Sequence, residues 1–401
     1  MTPEKGLRLA IVADLLDERW PSMDLMADML MAYTGRTGMC LTPSLIRPSF
    51  SSRLPLIGRG NGPAPPTAQR IAHRFWSYPR WLRRQPRADV YHIVDHSYAH
   101  LAHALPADRV VVTCHDVDAF RALLPEGDSE STLPRLFVKR VLTGLQRAAA
   151  IACDSEATRS ELVANGLASA ERTSVIPIGV HPACTTAPVL ESDTIAANLT
   201  GDAGPADLLH VGSTIPRKRI EFLLEVLARV AEVRPDVRLW RVGGSFTEAQ
   251  TTLARDLGIE QRITVLPFVT RSVLAAVYRR AALVLLPSER EGFGLPVIES
   301  MACGTPIICS DLPVLREVGG VTAEYCAPPS LASRATGDRA GASAEWAMRI
   351  DALLTERKTA PERWRARQAR CVSHSSAYSW HRYAAEMQAV YLSLTEAPVC
   401  A

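Results

Sequence analysis

Glu291 and Glu299 are separated by seven residues and flank the turn Gly292-Phe293-Gly294-Leu295-Pro296. Glycines on both sides of Phe293 let the backbone approach a ligand closely. Pro296 suits the first turn of a helix and Gly304 its end. Amides at such a helix start form a cradle for phosphate. Carboxylates beside a diphosphate would repel it unless they address hydroxyls at its two ends, on a sugar and on a ribose. A second segment, Gly212-Ser-Thr-Ile-Pro-Arg217-Lys218-Arg219, follows a short apolar run. Breaking a bond to a phosphate leaves negative charge on the departing phosphate. Fixed cations and amides aimed at that charge are the largest catalytic contribution a protein can make, and Arg217 and Lys218 are placed to supply it. The plain alternatives are an incidental capping glutamate and a solvated surface pair.

These residues resemble the Glu-x(seven)-Glu signature of glycosyltransferase family 4, and Ser300-Met301-Ala302-Cys303-Gly304-Thr305-Pro306-Ile307-Ile308 continues that pattern. The resemblance implies a GT-B fold and transfer of a sugar from a nucleotide-diphosphate donor with retention. It implies that Glu291 lies near the donor sugar, that Glu299 holds the ribose, and that Arg217 and Lys218 hold phosphate. Gly212, Gly243 with Gly244, and Phe268 with Val269 take positions that line the nucleotide in the family. Many members carry an arginine directly after the first of these glycines, where this chain has Ser213. Phosphate clamping is therefore expected to rest on Arg217 and Lys218. Ordinary core packing is the alternative for Phe268.

In the first half, the run Val110–Thr113 ends in Cys114-His115-Asp116. A polar cluster at a strand's carboxyl end is well placed for a ligand, and His115 resembles the family's histidine that contacts the transferred sugar. Asp116 and Asp118 spell a D-x-D pair, a metal-binding pattern of another glycosyltransferase fold. The resemblance to GT-B, where protein cations replace a metal, implies no metal and no other cofactor. Asp95 and His96 end the run Val90–Val94 and serve either an acceptor or strand-end capping. The first-strand loop lacks the Gly-Gly turn common in the family and reads Asp17-Glu-Arg-Trp-Pro-Ser22-Met23. Ser22 is expected to cap the next helix, and the acceptor contacts usual at that turn are in doubt.

Such residues need strands to aim them. Continuous apolar runs at Leu9–Val12, Val90–Val94, Val110–Thr113, Ala149–Ala152 and Val175–Ile176 alternate with helical patterns. Runs of this kind suit strands covered on both faces, hence a parallel sheet wrapped by helices. A second series follows at Leu208–Val211, Val237–Val242, Ile263–Leu266, Leu283–Leu286 and Pro306–Cys309. The expectation is α/β: two Rossmann-like doubly wound domains facing across a cleft, at residues 1–185 and 207–377. A linker is expected at 186–206, and a last helix near 378–401 that packs back on the first domain.

With 401 residues, two cores are natural, since domains run to roughly 100–200 residues. The 47% hydrophobic and 22% charged content is that of a folded protein, and a net charge of only +3 argues against nucleic acid as a partner. The nine cysteines include no C-x-x-C pair, which points to a reducing compartment. No apolar run is long enough to span a bilayer and no leader pattern is visible, so a cytoplasmic protein is expected. Arg70, Arg74, Arg80, Arg83, Arg84 and Arg87 are interleaved with Phe75, Trp76, Tyr78 and Trp81. That pattern suits an anionic membrane surface and a lipid-linked or glycan acceptor, or else a helix with inward aromatics and solvated arginines. A nucleotide-sugar epimerase, a phosphorylase, or an inactive assembly partner of the same fold are the competing functions.

Overall fold

The computed structural model describes residues 6–18, 20–35, 41–50, 67–124, 132–327 and 336–395. The chain divides into two compact units, Met1–Gly179 with Trp380–Ala401, and Val180–Ser379. Each unit holds one six-stranded, wholly parallel sheet.

The first sheet contains β1 (Leu7–Val12), β2 (Leu41–Ile46), β3 (Val90–Ile93), β4 (Val110–Cys114), β5 (Ala150–Cys153) and β6 (Thr173–Val175), in the order β2-β1-β3-β4-β5-β6. The second contains β7 (Asp207–Val211), β8 (Arg238–Val242), β9 (Ile263–Leu266), β10 (Leu283–Leu286), β11 (Ile307–Ser310) and β12 (Glu324–Cys326), in the order β12-β11-β10-β7-β8-β9. Every position of β3, β4, β10 and β11 is buried, which is why their sequences show no alternation. The order reverses between β1 and β3 in the first sheet and between β7 and β10 in the second. Doubly wound sheets bind ligands beyond the strand ends at such points.

The stretch 186–206 is not a bare linker: Leu190–Thr200 is a helix of the second unit. It is tied to the helix Arg271–Arg280 by Arg279 on Asp193 at 2.7 Å and by Arg280 on the Thr200 hydroxyl at 2.9 Å. Its buried face is made of Ser192, Ala196 and Thr200, while Leu190 and Ile195 are exposed, so no apolar period marks it. The last helix is Trp380–Ser393 and belongs to the first unit. It is held by a buried polar chain. His92 bonds Tyr391 through Nδ1 and Thr113 through Nε2, both at 2.7 Å, and the Tyr383 hydroxyl lies 3.4 Å from that of Thr113. Burial keeps His92 neutral, with its pKa pushed down to about 3.

The basic segment is partly structural. Arg70 and Arg74 pair with Glu18, and Arg74 also lies over the Tyr98 ring. Tyr78 is fully buried and donates to the Ala13 carbonyl at 2.7 Å, and Phe75 packs on His100 and Phe137. Trp76, Arg80, Arg83, Arg84 and Arg87 remain exposed. Among the described residues no helix is long and apolar enough to cross a membrane.

Candidate functional site

In the second unit the loops after β7 and β10 meet beside the switch point. Lys218 Nζ lies 2.5 Å from Glu291 Oε1, Arg217 donates to Oε2 at 3.3 Å, and the Ser288 hydroxyl donates to Oε1 at 2.6 Å. Arg217 also donates to the Arg290 carbonyl at 3.0 Å, and the Glu289 amide donates to the Arg217 carbonyl at 2.8 Å. Burial alone would raise the Glu291 pKa, but Lys218 and then Arg217 outweigh it and hold the carboxyl below its usual range. The two cations and the first glutamate of the sequence motif thus form one charged cluster, and an incoming diphosphate would compete with Glu291 for both cations.

The turn after Glu291 runs into the helix Leu295–Ala302. Gly294 caps it at φ +92°, a conformation that favours glycine, and a Cβ there would sit 2.6 Å from Leu315. Pro296 has no amide to leave unpaired, and the Val297 amide bonds back to the Gly294 carbonyl at 2.8 Å. Phe293 is buried edge-on against Tyr378, so it anchors the turn rather than facing a ligand. The ligand-facing capacity of Gly292–Leu295 therefore lies in its backbone. One turn further, Glu299 is buried and accepts from the Tyr278 hydroxyl at 3.0 Å and from Arg271 at 3.2 Å.

The strand ends beside this cluster carry the glycine loops. Gly212 follows β7 and Gly243 follows β8, and they touch at backbone level. Gly243 has φ +129°, and a Cβ on it would fall 2.0 Å from the Gly212 carbonyl oxygen. Arg241 is fully buried beneath both loops, donating to the carbonyls of Gly212 and Gly244. Phe268 is 75% exposed in the loop after β9, which removes the core-packing alternative, and Val269 beside it is half-buried.

In the first unit, His115 directly follows β4 with both ring nitrogens committed: Nδ1 lies 2.5 Å from Asp154 and Nε2 donates to the Val94 carbonyl at 2.7 Å. Burial opposes its charge, yet Asp154, with Asp95 and the Val94 carbonyl, raises its pKa to about 9. The side chain is an imidazolium at neutral pH, with neither nitrogen available as a base. Asp95 caps the segment His96–Ala104, accepting from the Ser97 amide at 2.7 Å, so the capping role is the one the geometry gives it. His96 lies between Asp95 and Asp116, at 3.4 Å from each. Burial and the neighbouring Asp95 push the Asp14 pKa well up. Ser22 is not a cap. The helix Pro21–Thr34 begins after Trp20 without a side-chain cap, and Pro21 takes the first turn, which puts Ser22 inside it. The Asp116 carboxylate accepts the Asp118 amide at 3.0 Å, and Asp118 pairs with Arg121 at 2.6 Å. That pair forms a local turn, and among the described residues no three His, Cys, Asp or Glu side chains are grouped to hold a metal.

Sequence reasoning missed Arg241, Asp154, Ser288, Arg271 and Tyr278. Arg241 carried a signal as a lone charge inside the apolar run Leu239–Val242, and Asp154 and Ser288 carried one as polar residues just beyond apolar strand runs.

Residues 191–365 match the family model Glycosyl transferases group 1, and residues 39–183 match Glycosyltransferase Family 4. The chain is 30% identical over 292 residues to a D-inositol 3-phosphate glycosyltransferase of Segniliparus rotundus, covering 70% of this chain and 60% of that relative. To the protein of the same name from Mycolicibacterium gilvum it is 33% identical over 284 residues, covering 63% of this chain and 62% of that relative. The chain thus spans about three fifths of the length of these curated relatives. Among solved structures, sucrose-phosphate synthase from Thermosynechococcus elongatus superposes with a TM-score of 0.73 at 18% identity, covering 97% of this chain and 99% of that one. HepE from Anabaena, in complex with UDP and glucose, gives 0.68 at 17% identity, covering 97% and 100%. At these identities the likeness is one of fold, the GT-B arrangement of two Rossmann-like domains.

Proposed function

This chain belongs to glycosyltransferase family 4, and on that premise we propose that it moves a sugar from a nucleoside-diphosphate sugar to an acceptor hydroxyl. The observation that carries this is the Lys218–Glu291–Arg217 cluster at the β7/β10 switch point, next to the glycine turn that opens a helix. Cations at that position neutralise charge on the departing diphosphate. Amides of Gly292–Leu295 share the load, and Glu299 takes the ribose hydroxyls. The sugar passes through an oxocarbenium-like state and the acceptor attacks from the face that the phosphate leaves, giving retention. The chemistry needs no metal, because the protein supplies the cations. His115 acts through its fixed positive charge rather than as a base.

For the donor, HepE as a UDP and glucose complex supports a uridine nucleotide as the first to try. For the acceptor, the relatives are named for D-inositol 3-phosphate, which supports a phosphorylated polyol, with a lipid-linked or other glycan acceptor as the alternative. The cysteines of the described residues are free and buried, which supports a reducing, cytoplasmic setting. The exposed remainder of the basic segment, Trp76 with Arg80, Arg83, Arg84 and Arg87, supports peripheral contact with an anionic membrane. The test is donor turnover. Purified protein with UDP- or GDP-sugars and a panel of polyol phosphates should release nucleoside diphosphate with a stoichiometric glycosylated product. Sugar loss with no such product favours an epimerase or phosphorylase. Failure to bind any nucleoside diphosphate favours an inactive partner.

A further inference from the structure

Arg241 is the one described arginine with no exposed surface, and it sits on β8 among Leu239, Trp240 and Val242, all buried. Burying a guanidinium is costly unless a carboxylate compensates it, and among the described residues Arg241 has none. Its contacts are instead the carbonyl oxygens of Gly244 and, at 3.1 Å, Gly212, with the Phe246 ring 5.1 Å from its charge. Its Nε has no partner, and burial lowers its pKa to about 10. His210, one strand over on β7, is also fully buried with neither ring nitrogen bonded. Its ring lies 3.1 Å from where a Gly212 Cβ would be, and burial, then Arg241 and Lys218, keep it neutral. The floor under the two glycine loops therefore carries positive charge that no side chain of the described residues neutralises.

We propose that Arg241 is a positioning residue for the donor diphosphate. It turns the carbonyls of Gly212 and Gly244 inward, which fixes the backbone of both loops. The close approach of Gly243 to Gly212 makes the two loops move as one piece. The charge that remains uncompensated attracts the diphosphate through that backbone, without touching it. Lysine cannot span two carbonyls with a rigid fork, so the role belongs to arginine. The inference rests on the donor reading of the Lys218–Glu291 cluster.

The test compares wild type, Arg241→Lys and Arg241→Met for binding of UDP, GDP, uridine and guanosine, by calorimetry and ligand-observed NMR. Arg241→Met should bind the preferred diphosphate about tenfold more weakly or worse, with binding of the matching nucleoside unchanged and Arg241→Lys intermediate. Equal losses for nucleoside and diphosphate, or unchanged diphosphate affinity in a folded Arg241→Met, overturn the proposal. Should Arg241→Met not fold, Arg241→Lys decides: a selective diphosphate loss supports it and wild-type affinity overturns it. A wild type that binds neither UDP nor GDP refutes the donor reading itself, and the inference with it.

Discussion

His115 shows how a side chain's partners decide what it can do. With Nδ1 on Asp154 and Nε2 on Val94, its proton is held until about pH 9. A histidine pKa raised on folding stabilises the protein below the ordinary value near 6.5, and that contribution fades as pH rises through the folded value. NMR titration should therefore place His115 near 9 in the wild type, and Asp154→Asn should bring it down towards the ordinary value. An unshifted His115 in that variant would contradict the assignment. Glu291 behaves in the opposite sense. Its lowered pKa contributes stability above the ordinary carboxylate range, which is lost as pH falls through the folded value. Lys218→Ala and Glu291→Ala should each reduce transfer by roughly 10²–10³-fold with far-UV circular dichroism unchanged. Near-normal turnover in both would refute the site.

At the level of elements, the loops after β7 and β8 are fitted to each other with no spare room. Gly243→Ala would combine a disfavoured φ with a Cβ 2.0 Å from the Gly212 oxygen. It should therefore weaken donor binding and cost about 1–3 kcal/mol of stability; a chemical denaturation curve and a UDP titration measure both. The last helix offers a second test. Tyr391→Phe removes the partner of a buried His92 nitrogen and should destabilise by about 1–3 kcal/mol, and unchanged stability would mean that the polar chain does not hold the helix. The elements differed in how plainly the sequence announced them. Leu283–Leu286 was legible to the residue because its apolar run is buried throughout, and Ile263–Leu266 was legible as a short β-branched run although only Leu266 is buried there. Two of the four edge strands, β2 and β12, were not. Each pairs on one side only, which lets β2 keep Pro43 and expose Thr42, Ser44 and Leu45, so no continuous apolar run marks it. The helix Leu190–Thr200 was hidden because small polar residues form its buried face. In the site, the glutamates and the cations were legible by spacing. Their mutual pairing was not, because Lys218 and Glu291 lie far apart in the chain and meet only through the β7/β10 neighbourhood.

For the whole molecule, the division of labour follows the two units. The second carries the charged cluster, the glycine loops and the helix turn. The first carries His115 with Asp154, and an exposed basic surface at Arg80–Arg87. If that surface meets membranes, flotation with anionic liposomes at moderate salt should carry the protein up, and Arg80→Glu with Arg84→Glu should abolish it; an unbound wild type removes the membrane contact from the account. The central claim is that the second unit grips a nucleoside diphosphate through Lys218, Arg217 and the turn before Leu295. Thermal unfolding with UDP, GDP and their sugars tests it most directly, since a ligand at 100 times its Kd stabilises by about 2.7 kcal/mol. The account predicts a clear rise in Tm with at least one diphosphate for the wild type, and none for Lys218→Ala. No rise with any of them, or an equal rise in both proteins, would contradict it.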